Sequence, residues 1–239
     1  MRTADARKTI PAALVVTFVA AVVLAASLLL GACGKSKTSS GGKSFSGALP
    51  TYKVGDTFTE NAKYGSDSSV SVSSVTGLTK VGNANAYVIH STFKPAMLGI
   101  FRTVDGKVDA QTGQPLEMTS AGANYSVKQT ATYSFSGSPM YPVKVGNVSN
   151  VTEIDKMVRT VNGETETVTE THNYVYKVEK VESVTVPAGT FKCFKVVQYE
   201  SGKIKGIDWD APQVKMYAVK NIDNEEPVST SELVSYSLK

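Results

Sequence analysis

Histidine, cysteine and tryptophan are almost missing from these 239 residues, which hold two, two and one of them. Two cysteines cannot build the disulfide framework that supports many small exported folds. His90 and His172 stand apart in sequence, outside any ligand spacing such as HExxH, so a zinc hydrolase lacks its parts. Neither lies beside Cys193, and a papain-like dyad needs a positioned histidine. There is no GxSxG elbow, no P-loop and no GxGxxG after a strand. Also missing is a basic stripe on the body of the chain. The net charge is +4, but Arg2, Arg7, Lys8 and Asp5 give the first 32 residues +2, and Lys35, Lys37 and Lys43 add three more. Residues 48–239 are left at −1, which excludes the electrostatic footprint of a nucleic-acid binder. No amphipathic helix is legible after Leu49.

What is present begins with a leader. Arg2, Arg7 and Lys8 precede an apolar run from Ile10 to Leu30, broken by Pro11, Thr17 and Ser27. A basic start, an apolar middle and small residues before a cut are the parts of an export signal. An uncleaved membrane helix is the rival, since about 20 apolar residues span a bilayer. The run ends in Leu30-Gly31-Ala32-Cys33, which resembles the lipobox of bacterial lipoproteins: leucine three residues before the cysteine, with small residues between. The resemblance implies that residues 1–32 are removed and that Cys33 carries a diacylglyceryl thioether, often with a further acyl chain such as palmitate. Two or more chains hold a protein on a membrane stably without spanning it. Localisation is then extracytoplasmic, on the cell membrane or the outer membrane. Gly34 follows the cysteine, not the aspartate that signals inner-membrane retention in enterobacteria.

Residues 33–47, the lipid-bearing cysteine followed by Lys, Ser, Thr and Gly with little else, cannot order themselves by burial and read as a flexible tether. About 14 such residues reach roughly 20 Å on average. Residues 48–239 remain as one domain.

That domain reads as all-β: an antiparallel curved sheet or open half-barrel, with two related β units as an option. Short runs of Val, Thr, Tyr and Phe alternate with Gly, Asn, Asp and Pro. Ser71–Val75 and Ala86–Phe93 flank a turn over 81–85. Asp105-Gly106 predicts a tight type I′ hairpin between Ile100–Val104 and Lys107-Val108. Asn162-Gly163 predicts a long hairpin, and Pro187-Ala188-Gly189 a three-residue one with a bulge. Behind that last turn Phe191, Cys193 and Val197 share one face and Phe194 and Val196 the other, so the strand should be covered on both sides. Cys193, in this apolar setting, reads as a buried structural thiol.

The stretch from Val184 to Phe194, Val-Thr-Val-Pro-Ala-Gly-Thr-Phe-Lys-Cys-Phe, resembles a hairpin found in families of uncharacterised bacterial exported proteins and lipoproteins. Those families place a Tyr-Pro-Leu-x-Val-Gly segment before it and a Trp-Tyr-Ala-Pro-x-Val-Gly segment after it. Here the matching stretches are Tyr141–Gly146 and Trp209–Met216. Asp210 stands where the families tend to have an aromatic, and Lys215 where they tend to have glycine. The resemblance implies a curved β sheet and assigns no activity. Within the chain, Tyr52-Lys53-Val54-Gly55-Asp56 echoes Val143-Lys144-Val145-Gly146-Asn147, and the run from Val72 through Val75, Leu78 and Tyr87-Val88 echoes Val178, Val181, Val184 and Cys193-Phe194.

Candidate chemistry is sparse. Asp105 to Glu117 sets acids at calcium-loop spacing, but Lys107 takes the place of an oxygen ligand and the sharp-turn glycine is missing. Asp208 and Asp210, with Asp223, Glu225 and Glu226, could converge on a cation, though loop acids are ordinarily just solvated. No metal, cofactor or catalytic residue is expected. A ligand site, if there is one, is expected over Asp208, Trp209, Asp210 and Tyr217, where the single indole can contact a sugar, lipid or peptide. Trp209 as a plug at the sheet end is the structural alternative. These observations favour a lipid-anchored, non-enzymatic envelope module that binds or scaffolds an envelope lipid, glycan or protein. A lipid or lipoprotein carrier with an apolar concave sheet is the second reading, and an envelope hydrolase without a recognisable motif the third.

Overall fold

A computed structural model describes residues 47–49, 51–97, 101–139, 141–215 and 217–239. The leader, Cys33 and the tether up to Ser46 lie outside the described residues. Twelve strands follow one another: β1 Thr57–Tyr64, β2 Asp67–Val81, β3 Ala84–Met97, β4 Phe101–Asp109, β5 Pro115–Gly122 and β6 Tyr125–Gly137, then β7 Val148–Val161, β8 Glu164–Val186, β9 Gly189–Glu200, β10 Lys203–Ala211, β11 Tyr217–Asp223 and β12 Ser229–Ser237. Each pairs antiparallel with its sequence neighbours, and β1 also pairs with β12, from Thr57↔Ser237 to Tyr64↔Ser229. The expected curved antiparallel sheet is therefore present, and its two edges meet in a closed up-and-down barrel. Closure leaves no edge strand, since every strand is paired on both sides along part of its length.

Alternation along the strands fills the ring. One apolar cluster gathers Tyr64, Phe93, Met97, Phe101, Met118 and Met157. A larger one gathers Phe58, Tyr87, Tyr141, Phe191, Phe194 and Leu233 among others. Inward positions between them carry polar side chains, including Glu60, Ser71, Gln198 and Asp208. On β9, Phe191, Cys193, Phe194, Val196 and Val197 are all buried, as a strand covered on both faces requires. The turn before β9 comes back onto β12, where Ala188 N–H donates to Leu233 C=O at 3.0 Å.

Two turns differ from expectation. Asp105-Gly106 does not reverse the chain; β4 runs straight through it, with Gly106 opposite Ile89 on one side and Met118 on the other. A turn there would leave two ladders unpaired, and pairing on both sides outweighs the local preference of Asp-Gly. The reversal falls instead after Asp109, whose carboxylate accepts from Gln111 N–H and Thr112 N–H. The Pro187 turn is shorter than expected, since Val186 already pairs with Gly189. Asn162-Gly163 does form the long hairpin, with positive φ at both residues (51° and 87°).

The internal echo corresponds to a structural repeat. Gly55 and Gly146 take φ of 95° and 92° in turns closed by Asp56 N–H to Lys53 C=O and Asn147 N–H to Lys144 C=O, each 3.0 Å. Glycine is required there because L side chains rarely adopt that conformation. Gly55 and Asp56 then exchange hydrogen bonds with Val75, as Gly146 and Asn147 do with Val178. A register shift follows in both cases, between Val75 and Gly77 and between Val178 and Lys180. The ring is thus two six-strand units, β1–β6 and β7–β12, each entered through the same turn.

Candidate functional site

Strand β10 separates the residues that adjacency in sequence had grouped. Asp208 and Asp210 pair with Val196 and Phe194 and face inward, while Trp209 pairs with Lys195 and Lys220 and faces outward. Tyr217 opens β11 inside the barrel, stacked on Phe58 with centroids 4.0 Å apart. Three of the four candidates therefore lie in the interior, Tyr217 beside Glu60 and apart from the two aspartates, and Trp209 belongs to the outer wall.

Outside, Trp209 Nε1 donates to Glu182 Oε1 at 2.8 Å, and Lys220 Nζ lies 6.0 Å from the ring centroid. Glu182 also meets Lys180 along β8, while Lys195 meets Glu179 and Lys220 meets Glu232 across strands, so ion pairs lie over β8, β9, β11 and β12. Each pair is solvent-screened and stabilises by at most about 1 kcal/mol. Lys180 and then the Trp209 hydrogen bond hold the Glu182 carboxyl below its usual range. The indole is half-buried against the large apolar cluster with its one donor satisfied.

Inside, Asp208 Oδ1 accepts from Asn221 Nδ2 at 2.7 Å, but its other oxygen and both oxygens of Asp210 have no hydrogen-bond partner. Both residues are essentially fully buried. Burial pushes Asp208 up to about 7, against the Asn221 hydrogen bond, and holds Asp210 well above its ordinary range, helped by the Asp208 charge. Glu60 is likewise pushed to about 7 by burial, against hydrogen bonds from Tyr217, Ser231 and Ser71. Burial likewise raises Asp223 to about 6, against the charge of Lys205. A second buried group surrounds Glu153, raised to about 7 by burial and by Asp155, with Tyr133 Oη donating at 2.8 Å.

Perturbed carboxyls of this kind mark reactive sites when they line a cleft. Asp210 instead lines a cavity of about 10 Å³ with Tyr141, Ser149 and Tyr176, roughly the room of one water. A larger one of about 40 Å³ lies beside Glu60, Ser71, Ser231, Phe93 and Met97. Among the described residues, no group of three or more His, Cys, Asp or Glu could hold a metal ion. Glu225 and Glu226 do not join Asp208; Glu225 pairs outward with Lys205. The histidines sit in separate pairs, His90 with Asp105 at 2.7 Å and His172 with Glu200 at 2.9 Å.

Cys193 is fully buried, its thiol 3.6 Å from Phe191 C=O and pushed up to about 12 by burial and by Asp210 and Glu182. Native protein should resist thiol reagents and react once denatured, while Cys193→Ala should cost about 1 kcal/mol. Rapid labelling of the native fold would contradict this.

Sequence reasoning missed Glu60, Glu153 and Asp155. The signal for Glu60 was available: it shares the inward parity of Phe58 and Tyr64 on β1.

Comparison with known proteins adds a family. The DUF3108-like family model matches residues 101–235. No curated protein matches. Two solved structures do. One, from Bacteroides fragilis, is provisionally described as an exported protein with a YmcC-like fold. It is 13% identical with a TM-score of 0.36, over 78% of this chain and 97% of its own. The other, from Parabacteroides distasonis, is provisionally described as a lipoprotein. It is 11% identical with a TM-score of 0.37, over 77% of this chain and 96% of its own. Likenesses this loose assign no role to the present barrel.

Proposed function

We propose that this chain, which belongs to the DUF3108-like family, is a lipid-anchored, extracytoplasmic binding or scaffold module without catalytic activity. The observation that carries the reading is the filled interior: Phe194, Val219 and Leu233 pack at its centre, each fully buried. Partners must then meet the outer wall. Anchoring is supported by the leader and the Leu30-Gly31-Ala32-Cys33 junction. A membrane-spanning barrel turns an apolar band outward, whereas the outer positions of β7 and β8 carry polar pairs such as Thr152 with Asn173 and Thr160 with Thr165. Among the described residues, the cavities of about 10 and 40 Å³ are each too small to house an acyl chain.

Native mass spectrometry of the detergent-extracted protein tests the choice. The module reading expects no enclosed lipid beyond the covalent one; a retained phospholipid would restore the carrier. On the outer wall, titrating peptidoglycan fragments and oligosaccharides against the full chain should shift Trp209 emission, since Trp209 is the single indole. Trp209→Ala should fold and lose that binding. Emission that no ligand moves, together with a Trp209→Ala variant that unfolds, would assign the ring to structure alone.

A further inference from the structure

We propose that the end of the barrel carrying the two repeated turns is a membrane-facing foot, seated on a lipid surface with anionic headgroups. The inference rests on the lipid-anchored reading and goes beyond it, from attachment to orientation.

Three observations converge on that end. The first is where the chain enters: Gly47 forms a two-way backbone bridge with Val143, N–H to C=O at 3.2 and 2.8 Å. Cys33 lies 14 residues before Gly47, a reach of roughly 20 Å for a flexible segment, so a lipid on Cys33 keeps this end nearest the bilayer.

The second is the repeat itself. Val54 and Val145 occupy the same position in the two turns and are 56% and 54% exposed. A turn in which glycine supplies the positive φ places no demand for an apolar side chain on the residue before it. Both units nevertheless carry a protruding valine there. The turns lead into β1 and β7, six strands apart in a ring of twelve, so the valines stand on opposite sides of one rim.

The third is charge. Lys53 and Lys144 precede the valines and are exposed, and the side chain of the exposed Lys239 lies over Gly55. Of the acids at this end, Asp56 is fully buried, held by Lys215 and by the N–H groups of Lys53 and Lys239. Asp109 accepts from its own turn. Lysines flanking short apolar tips complement an anionic interface, and the attraction weakens with salt.

The test uses the full lipidated protein in vesicles of phosphatidylglycerol and phosphatidylethanolamine. Val54→Cys, Val145→Cys and, at the opposite end, Ser201→Cys each carry one fluorophore; Cys193 is buried and Cys33 is occupied by the thioether. Nitroxide lipids should quench the labels at 54 and 145 at least twofold more than the label at 201. Lys53→Glu with Lys144→Glu, or high salt, should bring them down to that control level. Equal quenching at all three sites, with the lipid increment present in the intact mass, overturns the foot and leaves the anchor standing. A mass without lipid overturns both.

Discussion

Asp210→Asn should make the barrel more stable at pH 8 and leave it nearly unchanged at pH 4. Asp210 is buried with neither oxygen bonded, and its folded-state pKa lies well above the ordinary value of 3.8. In the unfolded chain the carboxyl ionises near pH 4, so above that pH the unfolded state binds fewer protons than the native one. Stability therefore falls as pH rises, by about 1.4 kcal/mol per group for each pH unit between the two values. Asp208 and Glu60, both raised to about 7, act in the same direction between pH 4 and 7, with a ceiling of roughly 4 kcal/mol each. Carboxyls held low by exposed lysines, such as Glu117 and Glu179, work the other way below about pH 4.5, and solvent screening keeps their effect small. Urea unfolding followed by Trp209 emission should give a higher midpoint at pH 5 than at pH 8. Asparagine at 210 should raise the midpoint at the higher pH and leave it nearly unchanged near pH 4. Equal midpoints at both pH values would mean that the interior solvates these acids.

The departures from the hairpin families gain physical meaning in the same place. Lys215 takes φ 58°, a conformation that suits glycine, and its ammonium reaches the buried Asp56 carboxylate. A glycine would relieve the backbone and lose that pair. Asp210 faces the cavity of about 10 Å³ beside Tyr141 and Tyr176.

Much of the architecture was legible because β structure writes itself in a period of two. Val, Thr and Tyr alternation, the Asn162-Gly163 turn and the Lys-Val-Gly echo all correspond to features of the barrel. Closure was not legible, since the pairing of Thr57–Tyr64 with Ser229–Ser237 joins segments more than 160 residues apart without local mark. The Asp105-Gly106 turn failed for the same reason: two neighbouring ladders outvoted a local preference. In the candidate site, Asp208-Trp209-Asp210 was found as a cluster in sequence. Strand alternation splits it, and the same period of two, applied to that stretch, would have placed the indole and the acids on opposite faces. Glu60 was marked by the parity of Phe58 and Tyr64, whereas Glu153 and Asp155 lay on inward parities that only the finished ring makes visible.

The largest single effect belongs to Cys33. If Leu30-Gly31-Ala32-Cys33 is cut and acylated, replacing the sulfur removes every lipid chain at once, and each buried methylene had contributed about 0.8 kcal/mol to attachment. Cys33→Ser should accumulate the uncut precursor. Fractionation alone misleads here, because an uncut leader with its apolar run from Ile10 to Leu30 can itself hold the chain in a bilayer. Intact mass reads the chemistry directly. For the membrane-extracted wild type, the mass should equal residues 33–239 plus a diacylglyceryl group, with or without a further acyl chain. A chain retaining Met1 to Ala32, or one starting at Cys33 without lipid, would contradict the account.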